Sequence, residues 1–310
     1  MVSFGTILVP LDGSELAEKA LSPAGQIASA MANRAGGSES VRLILLRAVA
    51  PMAMLAADPY LYDEMMRMNL DEAQAYLNLA ASTLSALGVK IETTTINGSP
   101  AEAIVQYAEE NGVDLIVMSS HGRTGSSRWV YGSVAEKVMH HASCATAIIR
   151  AHVEVAMFQN RKILVPLDGS DLAERALEPA LSLAQAVNSN VYLLRIVSMR
   201  EPMPETLTPA GEQVEAALDI ADAEERGEAE AYLQRVYGSH ENQHLFFDVE
   251  RTDGDIADSI VTYADTNYID LIVMSSHGRS GIGRWLHGSV AEKVLRGANC
   301  ATLIVRDPKS

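Results

Sequence analysis

The chain states one pattern twice. Residues 118–137 read MSSHGRTGSSRWVYGSVAEK, and residues 274–293 read MSSHGRSGIGRWLHGSVAEK. Fifteen of these twenty positions are identical, at an offset of 156 residues. The start of each half repeats at the same offset, as ILVPLDGS over 7–14 and over 163–170. Solenoid units run about 20–50 residues, so a period this long marks a duplicated domain. The 310 residues suit two domains of about 150 each, and we expect them at 1–152 and 153–310. One small fold, and one candidate site, must therefore be explained twice.

The order of apolar runs in the first half alternates strand with helix. Gly5–Leu11 reads as a buried strand. Ser14 follows as a helix N-cap, and Leu16, Ala20, Leu21, Ala24 and Ile27 form a helical stripe. NRAGGSES (33–40) reads as a loop. Val41–Val49 is a second strand, 61–87 a helix, and Val89–Ile96 a third strand. Ser99-Pro100-Ala101-Glu102 reads as a capping box opening a helix that stops near Asn111-Gly112. Asp114–Met118 is a fourth strand, followed by a glycine-rich loop over 119–132. Ser133-Val134-Ala135-Glu136 reads as a second capping box, with a helix to about His141, and Ala145–Arg150 is a fifth strand. The second half repeats this order. Such alternation predicts α/β architecture: two doubly wound parallel sheets, with helices on both faces. The middle segments have diverged most. Residues 50–68 are methionine-rich, whereas 199–212 are proline-rich and 214–230 acidic. These read as solvated connections and helix faces, or as lids and partner surfaces.

Composition narrows the function classes. The net charge of −16 repels nucleic acid and anionic membrane in the absence of a local basic patch. No apolar run approaches the ~20 residues of a membrane span, and a strand pattern begins within six residues of the N-terminus with no signal-peptide pattern. Cys144 and Cys300 are repeat equivalents and read as core residues of a reducing, cytoplasmic protein. Their spacing offers neither a zinc site nor a redox pair.

In open α/β sheets, ligands sit beyond the carboxyl ends of the strands, where the strand order reverses. Adjacent first and fourth strands would bring together the two most strongly repeated segments, Pro10–Ser14 and Ser119–Gly132. Gly122, Gly125 and Gly132 allow the backbone to approach a bulky anion. Ser133 begins a helix whose first N–H groups attract phosphate, and Arg123 and Arg128 add positive charge. Asp12 could accept from a ribose hydroxyl or an adenine amine. The same set recurs as Asp168, Gly278, Gly281, Gly288, Ser289, Arg279 and Arg284. Each residue also has a plainer reading. Asp12 and Ser133 could cap helices, the glycines shape a loop, the Arg-Trp pairs pack, and His121 and His277 hydrogen-bond within loops rather than move protons. No P-loop motif occurs, and Gly-Ile-Gly at 281–283 is no dinucleotide fingerprint.

These residues resemble the universal stress protein family, in its tandem form, over nearly all of both halves. Its nucleotide-binding loop reads G-x-x-G, nine residues, then G-[ST]. Gly122 and Gly132-Ser133 match, as do Gly278 and Gly288-Ser289. Val-Pro-Leu-Asp-Gly-Ser is equally typical. The resemblance implies strand order 3-2-1-4-5, with ATP (or ADP or AMP) between the first and fourth strands and Mg²⁺ carried in on the phosphates. It implies nucleotide contacts from Pro10, Asp12 and Val134 in the first half and from Pro166, Asp168 and Val290 in the second. One departure is copied in both halves: serine replaces the first glycine of the loop, at Ser119 and Ser275. A positive φ there would cost about 1–2 kcal/mol, whereas a hydroxyl beside phosphate could donate to it. The resemblance further implies pairing through the fifth strands, here within one chain, and association of two chains into a homodimer of four domains. The function expected is a nucleotide-binding stress-response or regulatory protein, at most a weak ATPase. A nucleotide-free interaction protein and a nucleotide-hydrolysing or adenylylating enzyme are the alternatives.

Overall fold

The computed structural model of the chain describes residues 4–37, 40–51, 59–120, 131–150, 158–199, 209–240, 244–275 and 289–306. The first half runs β1 (Thr6–Pro10), α1 (Glu15–Glu18), α2 (Leu21–Ala35), β2 (Arg42–Val49), α3 (Pro59–Thr83), β3 (Lys90–Asn97), α4 (Pro100–Glu110), β4 (Leu115–Ser119), α5 (Ser133–His141) and β5 (Ala145–Ile149). The second half runs β6 (Lys162–Pro166), α6 (Asp171–Glu174), α7 (Leu177–Val187), β7 (Asn190–Ser198), α8 (Pro209–Ser239), β8 (Leu245–Thr252), α9 (Ile256–Thr266), β9 (Leu271–Ser275), α10 (Ser289–Gly297) and β10 (Ala301–Val305).

Among the described residues the strands form one sheet, in the order β3-β2-β1-β4-β5-β10-β9-β6-β7-β8. Each half is thus a parallel 3-2-1-4-5 sheet, as expected from the sequence. The halves join where β5 and β10 pair antiparallel, with Leu303 opposite Ala147. Strands covered on both faces read as unbroken apolar runs rather than alternating ones. In β1, Ile7 and Val9 enter the core layer beneath α2 and α7, while Leu8 enters the opposite layer with α4, α5, α9 and α10 residues. Both layers run across both halves, and α2 also touches α7 directly through Arg34, which donates to the Ser182 carbonyl at 3.0 Å.

Three local readings change. The helical stripe after Ser14 is two helices, α1 and α2, broken at Lys19-Ala20, although Ser14 does cap α1 by accepting from the Ala17 N–H. The connection at 33–40 starts later, because α2 continues to Ala35 and ends on Gly36 in the left-handed region at φ 89°. Neither capping box forms. Ser99 precedes α4 without a side-chain cap, and at α5 the cap position is Gly132, so that Ser133 is already the first helical residue.

An aspartate at the foot of β4 fixes the switch point from below. Asp114 accepts from the Thr6 N–H at 2.8 Å. Its equivalent, Asp270, is buried and accepts from the backbone N–H groups of Asn160 and Lys162 at 3.1 and 3.0 Å. A buried carboxylate satisfied by backbone donors is stable there. β1 pairs with β4 only at Ile7 and Leu8, and β6 with β9 only at Ile163 and Leu164.

Candidate functional site

A cavity of about 550 Å³ opens at the carboxyl ends of β1 and β4, within the range of small-molecule sites. Pro10, Leu11 and Asp12 form one wall, and Leu46 to Ala50, at the carboxyl end of β2 and just beyond it, form the next. Asn69 and Glu72 reach it from α3, Pro100 and Ile104 from α4. Met118, Ser119 and Ser120 close the back, and Gly132, Ser133, Val134 and Ala135 bring in the start of α5. Of the first-half residues singled out in the sequence, the cavity unites Pro10, Asp12, Ser119, Gly132, Ser133 and Val134. Gly122, Arg123 and Gly125 lie outside the described residues, as do Arg128 and His121.

The wall at Asp12 is built by a turn. Gly13 holds φ 85°, a conformation open to glycine at little cost. The Asp12 Oδ1 accepts from the Ser14 N–H at 2.9 Å and from its hydroxyl at 2.6 Å. Ser14 Oγ in turn accepts from the Ala17 N–H. Asp12 thus supports the α1 cap through Ser14 while also standing in the cavity wall.

The opposite wall is a helix N-terminus. The first N–H groups of any helix have no partner within it, and no side chain caps α5. Ser133, Val134 and Ala135 present that end to the cavity, with the positive end of the helix dipole behind them. Gly132 and Ser120 are held side by side: the Gly132 N–H donates to the Ser120 carbonyl at 2.9 Å, and the Ser120 N–H to the Ile149 carbonyl at 2.8 Å. Ser119 is the last residue of β4, buried and in register with Ile149. It has no positive φ, and neither does Ser275. The glycine-to-serine change therefore carries no backbone strain in either half.

The second half repeats much of this frame. Asp168 Oδ1 accepts from Ser170 N–H at 2.9 Å and from its hydroxyl at 2.5 Å, across Gly169 at φ 82°. Pro166 ends β6, Ser275 ends β9 opposite Val305, and Ser289 and Val290 begin α10. Gly278, Arg279, Gly281 and Gly288 lie outside the described residues, with His277 and Arg284. A separate cavity of about 680 Å³ opens beside Gly169 and extends along α8 past Glu224, Glu225 and Glu228 to Arg235, with Arg195 on its sheet side.

Sequence reasoning missed the contribution of α3. Asn69 and Glu72 line the cavity, and one turn on Tyr76 donates to Glu18 at 2.9 Å under the Arg47 guanidinium, 5.1 Å from its ring centroid. Glu72 and Tyr76 recur as Glu228 and Tyr232 at the 156-residue offset, a signal hidden by the divergence around them. The cysteines are partly buried and pack against the core. Burial pushes the Cys144 thiol up to about 11 and Cys300 up to about 12, so both stay protonated and poorly nucleophilic at neutral pH. Among the described residues no group of three or more His, Cys, Asp or Glu side chains could hold a metal ion.

Comparison with known proteins decides the family. The model of the universal stress protein family matches residues 3–150 and again residues 159–306. The chain belongs to the universal stress protein family. It is the tandem form, with two family domains in one chain. A universal stress protein of Methanocaldococcus jannaschii is 32% identical over 149 residues, covering 48% of this chain and 84% of that protein. One from Mycobacterium tuberculosis is 27% identical over 301 residues, covering 92% of this chain and 94% of its own length. Among solved structures, a universal stress protein from Archaeoglobus fulgidus superposes with a TM-score of 0.65 at 22% identity, covering 98% of this chain and 97% of that one. That likeness shares the fold across both halves. No described helix of this universal stress protein is long and apolar enough to cross a membrane.

Proposed function

We propose that this universal stress protein binds an adenine nucleotide, ATP or its products ADP and AMP, at the strand 1/strand 4 switch point, and acts as a cytoplasmic stress-response or regulatory protein. The observation that carries this reading is the pairing of opposite chemistries across one cavity. Asp12 offers a carboxylate acceptor suited to ribose hydroxyls or an adenine amine. The start of α5 offers uncapped N–H groups suited to phosphate. A volume near 550 Å³ accommodates a nucleotide between them. Apolar Leu46, Ile104 and Met118 supply surface for a base.

In this reading Ser133 and Val134 donate backbone N–H groups to phosphate, and the Ser119 hydroxyl stands at the back wall as a further donor. Gly122, Arg123 and Gly125 complete the phosphate loop, and Mg²⁺ enters with the phosphates. Pro166, Asp168, Ser275, Gly278, Arg279, Gly281, Gly288, Ser289 and Val290 are the second-half equivalents. Domain boundaries fall at 1–152 and 153–310, and two chains associate as a homodimer.

The test is to denature purified protein, identify any released nucleotide and count equivalents per chain, then titrate stripped protein with ATP and Mg²⁺. An adenine nucleotide that binds wild type, and binds Asp12→Ala at least about tenfold more weakly, supports the reading. Protein that carries no nucleotide and shows no thermal shift with ATP and Mg²⁺ overturns it.

A further inference from the structure

The two halves differ where α3 and α8 face the site. The helices align at the 156-residue offset: buried Ala73 and Leu77 match buried Ala229 and Leu233, and Tyr76 matches Tyr232. On that register Met68 and Asn69 become Glu224 and Glu225. Asn69 lines the first-half cavity, while Glu224 and Glu225 line the cavity beside Gly169 in the second. Glu72 and Glu228 are common to both. The second half therefore places two additional carboxylates on the wall that faces the Asp168 turn.

Among the described residues, nearby cations do not cancel them. Arg195 has an equivalent, Arg47, in the first-half cavity, so it makes no difference between the halves. Arg235 replaces Leu79, but it lies ten residues beyond Glu225, about 15 Å farther along the helix. A crossover helix leaves the carboxyl ends of its strands at its N-terminal part. Arg235 thus lies toward the far end and packs over Tyr232, 5.9 Å from the ring centroid. Arg226 is engaged with Glu230 at 2.9 Å.

We propose that Asn69 and Glu225 are the specificity-determining pair of this chain: the first half takes the polyanionic nucleotide tightly, and the carboxylates of α8 weaken or exclude it in the second. The inference rests on the nucleotide reading above. An amide at 69 donates and accepts, and adds no charge. A carboxylate at 225 only accepts, and repels a triphosphate through a cavity wall partly shielded from solvent. Like-charge placement is how a site rejects a ligand whose frame it otherwise fits.

The test uses the full chain, stripped of nucleotide, with ATP and Mg²⁺ as the probe in titration calorimetry at low and at moderate salt. Wild type should show one tight site and a second at least about tenfold weaker. Asp12→Ala should remove the tight site and Asp168→Ala the weak one. Glu224→Met with Glu225→Asn should tighten the second site toward the first, and Asn69→Glu should weaken the first alone. Added salt should narrow the gap between the sites. Two equal sites in wild type, or a weak site unmoved by the α8 substitutions, would overturn this inference while leaving nucleotide binding intact. Binding to neither half would instead defeat the nucleotide reading, and this inference with it.

Discussion

The Arg150 guanidinium, just past β5, donates to the backbone carbonyl of Leu295, in the last turn of α10 in the other half. The relationship is reciprocal: Arg306, just past β10, donates to the Met139 carbonyl in the last turn of α5. The last carbonyls of a helix lack partners within it, and a cation there also meets the negative end of the dipole. Each half therefore caps the site helix of the other. In the first half Tyr131, next to the cavity residue Gly132, donates to the same Leu295 carbonyl.

Removing these arginines should weaken the junction. Arg306→Met leaves the Met139 carbonyl without its charged donor and should cost about 1–3 kcal/mol in urea unfolding. Arg150→Met should cost less, because Tyr131 still donates to Leu295. Methionine keeps much of the buried stem volume, so the loss reports the hydrogen bond rather than a void. Equal stability of both variants and wild type would show that the caps carry no weight.

The serine that departs from the family loop makes a second case. Because Ser119 is extended and buried at the end of β4, restoring glycine relieves nothing. Ser119→Gly should lose about 0.5–1 kcal/mol through added freedom in the unfolded chain. A gain in thermal stability would mean that the serine is strained after all.

Much of this was legible in the sequence because the repeat supplies its own control. The 156-residue offset identified the matching first, fourth and fifth strands and the repeated Asp-Gly-Ser segment, all of which rest on short local patterns. Contacts between halves were not legible, since Arg150 and Leu295 are far apart in the chain and nothing local marks an orphan carbonyl. Nor was the place of Asn69 in the cavity wall, since it sits on a helix whose counterpart has changed character. Local signals also misled. Ser133-x-x-Glu136 fits a capping box, yet Gly132 takes the cap position, which leaves the helix end open to the cavity. Conversely, the stop at Gly112, φ 59°, is kept by Tyr268 at φ 54°, where the sequence gives no glycine signal and the end of α9 is set by its surroundings.

Acid should report on the outer edge of the sheet. Glu92 on β3 is held by Arg42 at 2.9 Å and by Lys90 at 3.0 Å. Hydrogen bonds from Arg42 and then Lys90 pull its carboxyl down from 4.5 to about 2. A depressed carboxylate stabilises fully above its unfolded value, and that contribution is lost as pH falls through the folded value. Partial exposure screens the pair, so about 1 kcal/mol is at stake. Between pH 5 and pH 2 wild type should therefore lose about that much more stability than Glu92→Gln, measured by urea midpoints. Parallel loss in both would remove Glu92 from the acid response.

The seam between the halves holds a pair of polar groups that could be improved. Thr146 on β5 and Thr302 on β10 are repeat equivalents, 3% and 2% exposed, each next to the antiparallel junction. Their hydroxyls are buried without a hydrogen-bond partner. Such a group has given up its water without recompense, at about 1–3 kcal/mol, while valine has nearly the same shape and equal preference for a strand. Thr146→Val and Thr302→Val should each raise stability, by about 0.5–1 kcal/mol after allowance for imperfect repacking. The double variant should melt higher than either alone and leave the proposed nucleotide binding unchanged, because the seam lies away from the cavity lining. A fall in melting temperature in both single variants would show that these hydroxyls are satisfied in solution.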